Sequence, residues 1–191
     1  MRARDTERYR SGHAQADRVD LRHHRWSLLL AREMGAPYWD EEHSSYATSL
    51  LGQADALLLG RETYEGFAAT WPSRSGNDYA DRINAMPKYV ASRTLTGTEA
   101  EWNATIIRGD IAERVAGLKR EPGGNLLKFG TGEPDHTLIE HGLVDELHLW
   151  VFPVIAGGGE RLLDGLDITH FERLRTVEFA SGLTVMVLGS K

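Results

Sequence analysis

The chain has 191 residues, a formal net charge of −6 and 41% hydrophobic residues, which is enough apolar sequence for one core of ordinary domain size. The acidic balance excludes proteins that hold nucleic acid or an anionic membrane by general electrostatics, because both need a basic surface. The absence of cysteine excludes disulfides, thiolate zinc sites, iron–sulfur clusters and a cysteine nucleophile. No apolar run resembles a membrane helix or a secretory signal, so we expect a cytoplasmic protein.

Residues 1–36 are predicted to form a mobile leader outside a domain that spans residues 37–191. The first 25 residues contain seven arginines and four acids without an apolar period, which is typical of an unstructured segment. A transit peptide is an alternative, although the acids count against it. The apolar run from Trp26 to Met34 favours a short helix that ends at Gly35 and Pro37.

Strands alternate with helices beyond the leader. A helix is predicted from about Pro37 to Gly52, because acids come first and apolar residues follow at helical spacing. Short apolar runs predict buried strands at 54–60, 88–92, 104–109 and 125–130. Helical patterns follow three of them, at 62–71, 110–120 and 135–142. The segment 72–84 is predicted to be a polar loop, and Asp110 is predicted to be a helix N-cap.

The C-terminal part is predicted to be a strand, a glycine loop and a hairpin. The apolar run 144–155 favours a central strand, and residues 156–165 favour a loop. Two β-branched runs, 174–180 and 183–190, flank a turn and indicate an antiparallel hairpin. The whole order predicts a three-layer α/β/α fold with a mixed, mostly parallel sheet.

Two strand ends carry residues that suit an anionic ligand. Gly60 and Arg61 stand where a strand meets a helix, and both helix N-terminal amides and a guanidinium attract phosphate. Ser92, Arg93 and Thr94 repeat this chemistry at the end of the next strand. Ligands of open α/β sheets bind at the carboxyl edge of the strands, although a turn glycine with a surface arginine also explains the first junction.

A third strand end, Phe129 to Pro134, carries the sequence FGTGEP. Gly130 and Gly132 allow the backbone to approach a ligand closely. The segment is not a Rossmann fingerprint, because Asp135 replaces the third glycine. A phosphate or ribose loop and a plain turn both remain open on this evidence, whereas Gly157–Gly159 is interpreted as a flexible connection.

Other candidate residues have structural interpretations. The histidines show no metal-binding spacing, so no metal is expected. His148 lies on the same strand face as Trp150, and a hydrogen-bonded core histidine is favoured over a catalytic one. Asp40, Glu41 and Glu42 could donate a proton, but acids in a first helical turn usually complement the helix dipole. Serine-hydrolase and nucleotide-triphosphatase motifs are absent from the sequence.

Four segments carry a family resemblance: ADALLLGRETYEGFAATWP, YVASRTLT, LLKFGTGE and LIEHGLVDELHLWVFPVIAGGGERLL. Together they resemble the C-terminal reductase family of the riboflavin-biosynthesis protein RibD, over roughly residue 37 to the end. The resemblance implies a dihydrofolate-reductase-like fold, NADPH as cofactor and a homodimer. It also implies hydride transfer to a small heterocyclic substrate, namely 5-amino-6-(5-phosphoribosylamino)uracil or a related pterin or pyrimidine ring.

The resemblance also implies which residues contact the cofactor, while the catalytic residues stay unassigned. The implied contacts are Gly60, Arg61 and Thr63 for the phosphates, Ser92, Arg93 and Thr94 for the ribose and its 2′-phosphate, and Phe129, Gly130, Thr131, Gly132 and Glu133 as a glycine loop. Family members open with a core strand and an SLDG-type loop, and residues 1–36 contain neither. A nucleotide-binding or dimerising domain that has lost its reaction is therefore the alternative.

Overall fold

The computed structural model describes residues 35–95, 99–156 and 163–191. The predicted leader lies outside this part of the chain apart from Gly35 and Ala36, and the loop Gly157–Gly159 lies outside it entirely. The described chain begins with a short 3-10 turn, Ala36–Tyr38.

The described residues form five α-helices. They are α1 (Glu41–Gly52), α2 (Arg61–Ala68), α3 (Asp78–Ala85), α4 (Ile111–Arg120) and α5 (Glu133–Glu140). Asp110 caps α4 as predicted, because its carboxylate accepts a hydrogen bond from the Glu113 amide at 3.0 Å. None of the described helices has the length and apolar character that crossing a bilayer requires.

The helix α3 corrects the prediction that 72–84 is a loop. Asn77 caps it by accepting a hydrogen bond from the Ala80 amide at 2.9 Å. Ala80 and Ile83 are fully buried, so one apolar face of two turns is enough to hold this helix against the sheet.

A five-stranded sheet forms the first half of the fold. Its strands are β1 (Ala54–Gly60), β2 (Lys88–Ala91), β3 (Glu99–Ala100), β4 (Ala104–Ile107) and β5 (Asn125–Phe129), in the order β3-β4-β2-β1-β5. All pairs are parallel except β3 with β4. Gly60 pairs with Ala91, and Leu59 pairs with Phe129. The carboxyl ends of β2, β1 and β5 therefore lie side by side.

A three-stranded antiparallel sheet forms the second half. Its strands are β6 (Glu146–Val151), β7 (Phe171–Glu178) and β8 (Thr184–Ser190), in the order β6-β8-β7. The predicted C-terminal hairpin is confirmed as β7 and β8. In the described part of the chain, β5 pairs only with β1 and β6 only with β8, so both strands keep one open edge.

Helices cover both faces of the first sheet, as the predicted three layers require. Leu57 and Leu59 of β1 belong to one buried cluster, and Leu58 belongs to another on the opposite face, because successive strand side chains alternate. Helix α1 also joins the two sheets. Its Leu51 lies in the first cluster, while its Tyr46 packs on a third cluster formed by the second sheet and its turn.

Candidate functional site

The junction between β1 and α2 presents an open helix N-terminus. Gly60 is the N-cap of α2 and offers no side-chain cap, and a Cβ atom at Gly60 would meet nothing within 4 Å. Arg61, the first residue of α2, donates to both carboxylate oxygens of Glu65 at 3.2 Å. This pair is substantially exposed, and such pairs contribute only about 0 to 1 kcal/mol. A phosphate can therefore compete for the guanidinium.

The glycine loop after β5 touches α2 directly. Gly130 has a φ of +74°, a conformation that side chains other than glycine rarely adopt. A Cβ atom added there would lie 2.7 Å from the Oγ1 atom of Thr63. Glycine is therefore strongly favoured at residue 130 for two reasons, and the close approach of Thr63 brings the first and third predicted loops together.

An ion pair beneath the glycine loop fixes its shape. The Asp135 carboxylate accepts hydrogen bonds from the Lys128 Nζ atom at 2.8 Å and from the Gly132 amide at 2.7 Å. Lys128 also donates to the Gly130 carbonyl at 2.8 Å. Both charged side chains are mostly buried. Asp135, which replaces the third Rossmann glycine, thus holds this loop in place. The sequence pattern did not predict that role.

The segment after β2 contributes a guanidinium. The buried Ser92 hydroxyl accepts hydrogen bonds from the amides of Thr94 at 3.2 Å and Leu95 at 3.0 Å, so it shapes the turn that presents Arg93. The Arg93 Nη2 atom lies 2.7 Å from both carboxylate oxygens of Glu133. This contact joins the second and third predicted loops.

Two residues of the predicted glycine loop differ in exposure. Thr131 is exposed at the loop tip. Phe129 packs instead against the first core cluster, with its ring centroid 5.6 Å from that of Phe67. Its side chain therefore supports the loop from within the core.

The other candidate residues have structural contacts. His148 contacts the Tyr46 hydroxyl at 3.3 Å and the Glu146 carboxylate at 3.0 Å, as expected for a hydrogen-bonded core histidine. Asp40 caps α1, and the Glu42 carboxylate accepts a hydrogen bond from the Ala180 amide at 2.9 Å. Among the residues that the structure describes, no group of three or more potential ligands is placed to hold a metal ion.

Comparisons with known proteins agree with this architecture. The family model of the RibD C-terminal domain matches residues 29–187. Uncharacterized protein YyaP of Bacillus subtilis (strain 168) is 31% identical over 145 residues, which are 73% of this chain and 76% of that protein. A Shewanella sp. PV-4 structure, named as a candidate riboflavin biosynthesis protein, has a TM-score of 0.61 at 21% identity, with 80% of this chain and 81% of that chain covered.

A second solved structure shows the same fold. RibD of Acinetobacter baumannii has a TM-score of 0.55 at 12% identity, and the match covers 78% of this chain and 51% of that one. The predicted family and the predicted α/β fold are therefore both confirmed.

Proposed function

The chain belongs to the RibD C-terminal domain family, and on that premise we propose that it is an NADPH-dependent reductase. Its proposed substrate is a small heterocycle, either 5-amino-6-(5-phosphoribosylamino)uracil or a related pterin or pyrimidine ring. One observation carries the proposal: three strand-end loops meet at the carboxyl edge of the first sheet. The contacts that join them are Thr63 with Gly130 and Arg93 with Glu133.

The first loop offers a place for the bridging phosphates of the cofactor. The first turn of α2 has no side-chain cap, and open space lies beside Gly60. Helix N-terminal amides favour an anion there, and Arg61 adds a guanidinium whose ion pairs with Glu62 and Glu65 are exposed. Thr63 lies one turn into the same helix and carries a hydroxyl at the contact with the glycine loop.

The second and third loops offer a place for the ribose end. Arg93 and Thr94 are exposed and follow β2, the neighbour of β1, and a guanidinium in this position suits a 2′-phosphate. The residues from Gly130 to Glu133 let the backbone approach the ligand. When bound, NADPH would supply the hydride through its nicotinamide, and the part of the protein would be to place and orient that ring, with little acid–base machinery of its own.

A binding experiment tests the cofactor proposal. The protein has five tryptophans, and Trp71 packs on Phe67, which contacts Phe129 of the site. Tryptophan fluorescence should therefore report a saturable NADPH titration. Arg61→Ala is expected to weaken binding about tenfold, the loss typical of one charged hydrogen-bond partner. The control Arg120→Ala removes the same positive charge as Arg61→Ala, but at the C-terminal end of α4. It should bind NADPH as tightly as the wild type does.

Turnover separates a reductase from a nucleotide-binding domain that has lost its reaction. The open edges of β5 and β6 in the described chain motivate this alternative. NADPH consumption with a panel of pyrimidine and pterin substrates supports the reductase. Saturable binding without consumption across that panel favours the binding domain, and a wild type that binds no nicotinamide nucleotide contradicts both proposals.

We also propose that the protein forms a homodimer. The end of β6 and the segment that follows it expose Val151, Val154 and Ile155, the last of them at 96%. Exposed apolar residues close together often mark a surface that another protein covers. Analytical ultracentrifugation at micromolar concentration tests this, and a monomer contradicts it. The cytoplasmic location stays a prediction.

A further inference from the structure

The Arg93–Glu133 ion pair crosses the end of β1. Arg93 follows β2, Glu133 opens α5 after β5, and β1 lies between these two strands. The bridge therefore spans the edge where the first turn of α2 begins. Both side chains are largely exposed, at 79% and 73%, so water screens the pair and a ligand can reach either partner.

The two partners favour different nucleotides. In Rossmann-type dinucleotide sites a carboxylate accepts a hydrogen bond from the ribose 2′-hydroxyl of NADH, whereas an arginine accommodates the 2′-phosphate of NADPH, and the same chemistry applies to the two groups here. Here the two groups neutralise each other. A 2′-phosphate must displace the Glu133 carboxylate from Arg93 and then remain close to its negative charge. The same carboxylate is stabilised where it stands, because it occupies the first turn of a helix.

We propose that Glu133 sets the cofactor preference of this chain by competing with the ribose 2′-phosphate for Arg93. The inference rests on the proposed function, because it assigns a specificity role within the same nucleotide site. Arg93 alone predicts a strong preference for NADPH. With Glu133 opposite it, the preference is weaker, and NADH remains a usable ligand.

The test compares NADPH and NADH affinities in matched variants by tryptophan fluorescence. Glu133→Gln is expected to strengthen NADPH binding about three- to tenfold, the range set by one exposed ion pair and one removed like-charge repulsion. NADH affinity should change less than about twofold, because NADH has no 2′-phosphate to compete. The control is Glu140→Gln, which removes an exposed carboxylate from the other end of the same helix.

Two further measurements identify the mechanism. In an Arg93→Ala background, Glu133→Gln should give a smaller gain in NADPH affinity, since no guanidinium is left to release. Raising the salt concentration should also shrink the gain, because exposed charges are screened. Circular dichroism of each variant shows that the fold is kept.

The outcomes separate this inference from the proposed function. An unchanged or lowered NADPH-to-NADH affinity ratio in Glu133→Gln, with the wild type binding NADPH, overturns the role of Glu133 and leaves the reductase proposal standing. A wild type and variants that bind neither nucleotide overturn both. A gain equal to that of Glu140→Gln assigns the effect to net charge and also overturns the inference.

Discussion

Replacing Lys88 with methionine is expected to change how the stability of the protein depends on pH. Lys88 is the first residue of β2 and is 0% exposed. Its Nζ atom donates to the Asn84 carbonyl at 2.9 Å and lies 4.0 Å from the ring centroid of Trp102. Burial removes water from the ammonium group and lowers the pKa of Lys88 from 10.5 to about 8.

The sign and size of the effect follow from this pKa shift. Between about pH 8 and pH 10.5 the unfolded chain binds a proton at Lys88 that the folded protein has released, so folded-state stability rises with pH through this window. The shift corresponds to about 3 kcal/mol across the full window. The destabilisation from the buried charge is complete below about pH 8, where the Asn84 carbonyl and the Trp102 ring offset part of it.

Urea denaturation of wild type and Lys88→Met at two pH values measures the effect. Relative to the variant, the wild type should gain about 2 to 3 kcal/mol in free energy of unfolding between about pH 7 and about pH 10. The control Val90→Ala, in the same strand and equally buried, removes no titratable group, so its destabilisation should be the same at both pH values. A wild-type advantage over Lys88→Met that is equal at the two pH values refutes the reasoning.

Three further substitutions test the site and its scaffold. Gly130→Ala should destabilise the fold by about 1 to 3 kcal/mol, because of its positive φ and the clash with Thr63, and Thr63→Ala in that background should recover part of the loss in urea denaturation. Asp135→Ala should lower the free energy of unfolding by about 3 kcal/mol, because Lys128 loses its mostly buried partner; a thermal melt unchanged from wild type contradicts this. Asp110→Ala should cost about 1 kcal/mol through the lost N-cap, measured by urea denaturation, whereas a loss of NADPH affinity alone would contradict a purely structural role.

The sequence predicts which strand ends carry the candidate site, because strand ends depend on local patterns. Buried parallel strands have short apolar runs, and their ends coincide with breaks in those runs. Gly60, Arg93 and Gly130 therefore come to one edge of the sheet as expected. The N-cap role of Asp110 is confirmed for the same reason, since a cap and its helix are neighbours in the chain.

The remaining features depend on contacts between distant residues. No local sequence pattern indicates that Arg93 contacts Glu133, 40 residues later. The same is true of Lys88, which is fully buried against the ring of Trp102. The loop predicted at 72–84 was wrong because only Ala80 and Ile83 supply a fully buried face. The division into two sheets is equally invisible in the sequence, because the pattern of one strand does not identify the strand that it pairs with.

The position of α1 has a consequence for synthesis on the ribosome. The aromatic face of this helix, with His43 and Tyr46, is covered by the turn and strand that carry Phe179 and Val185, which are translated later than the helix. The hydrogen bond from the Ala180 amide to Glu42 spans 138 residues. The nascent chain therefore carries an uncovered aromatic surface until Phe179 and Val185 have been translated, and chaperones or other nascent chains can bind this surface before folding is complete.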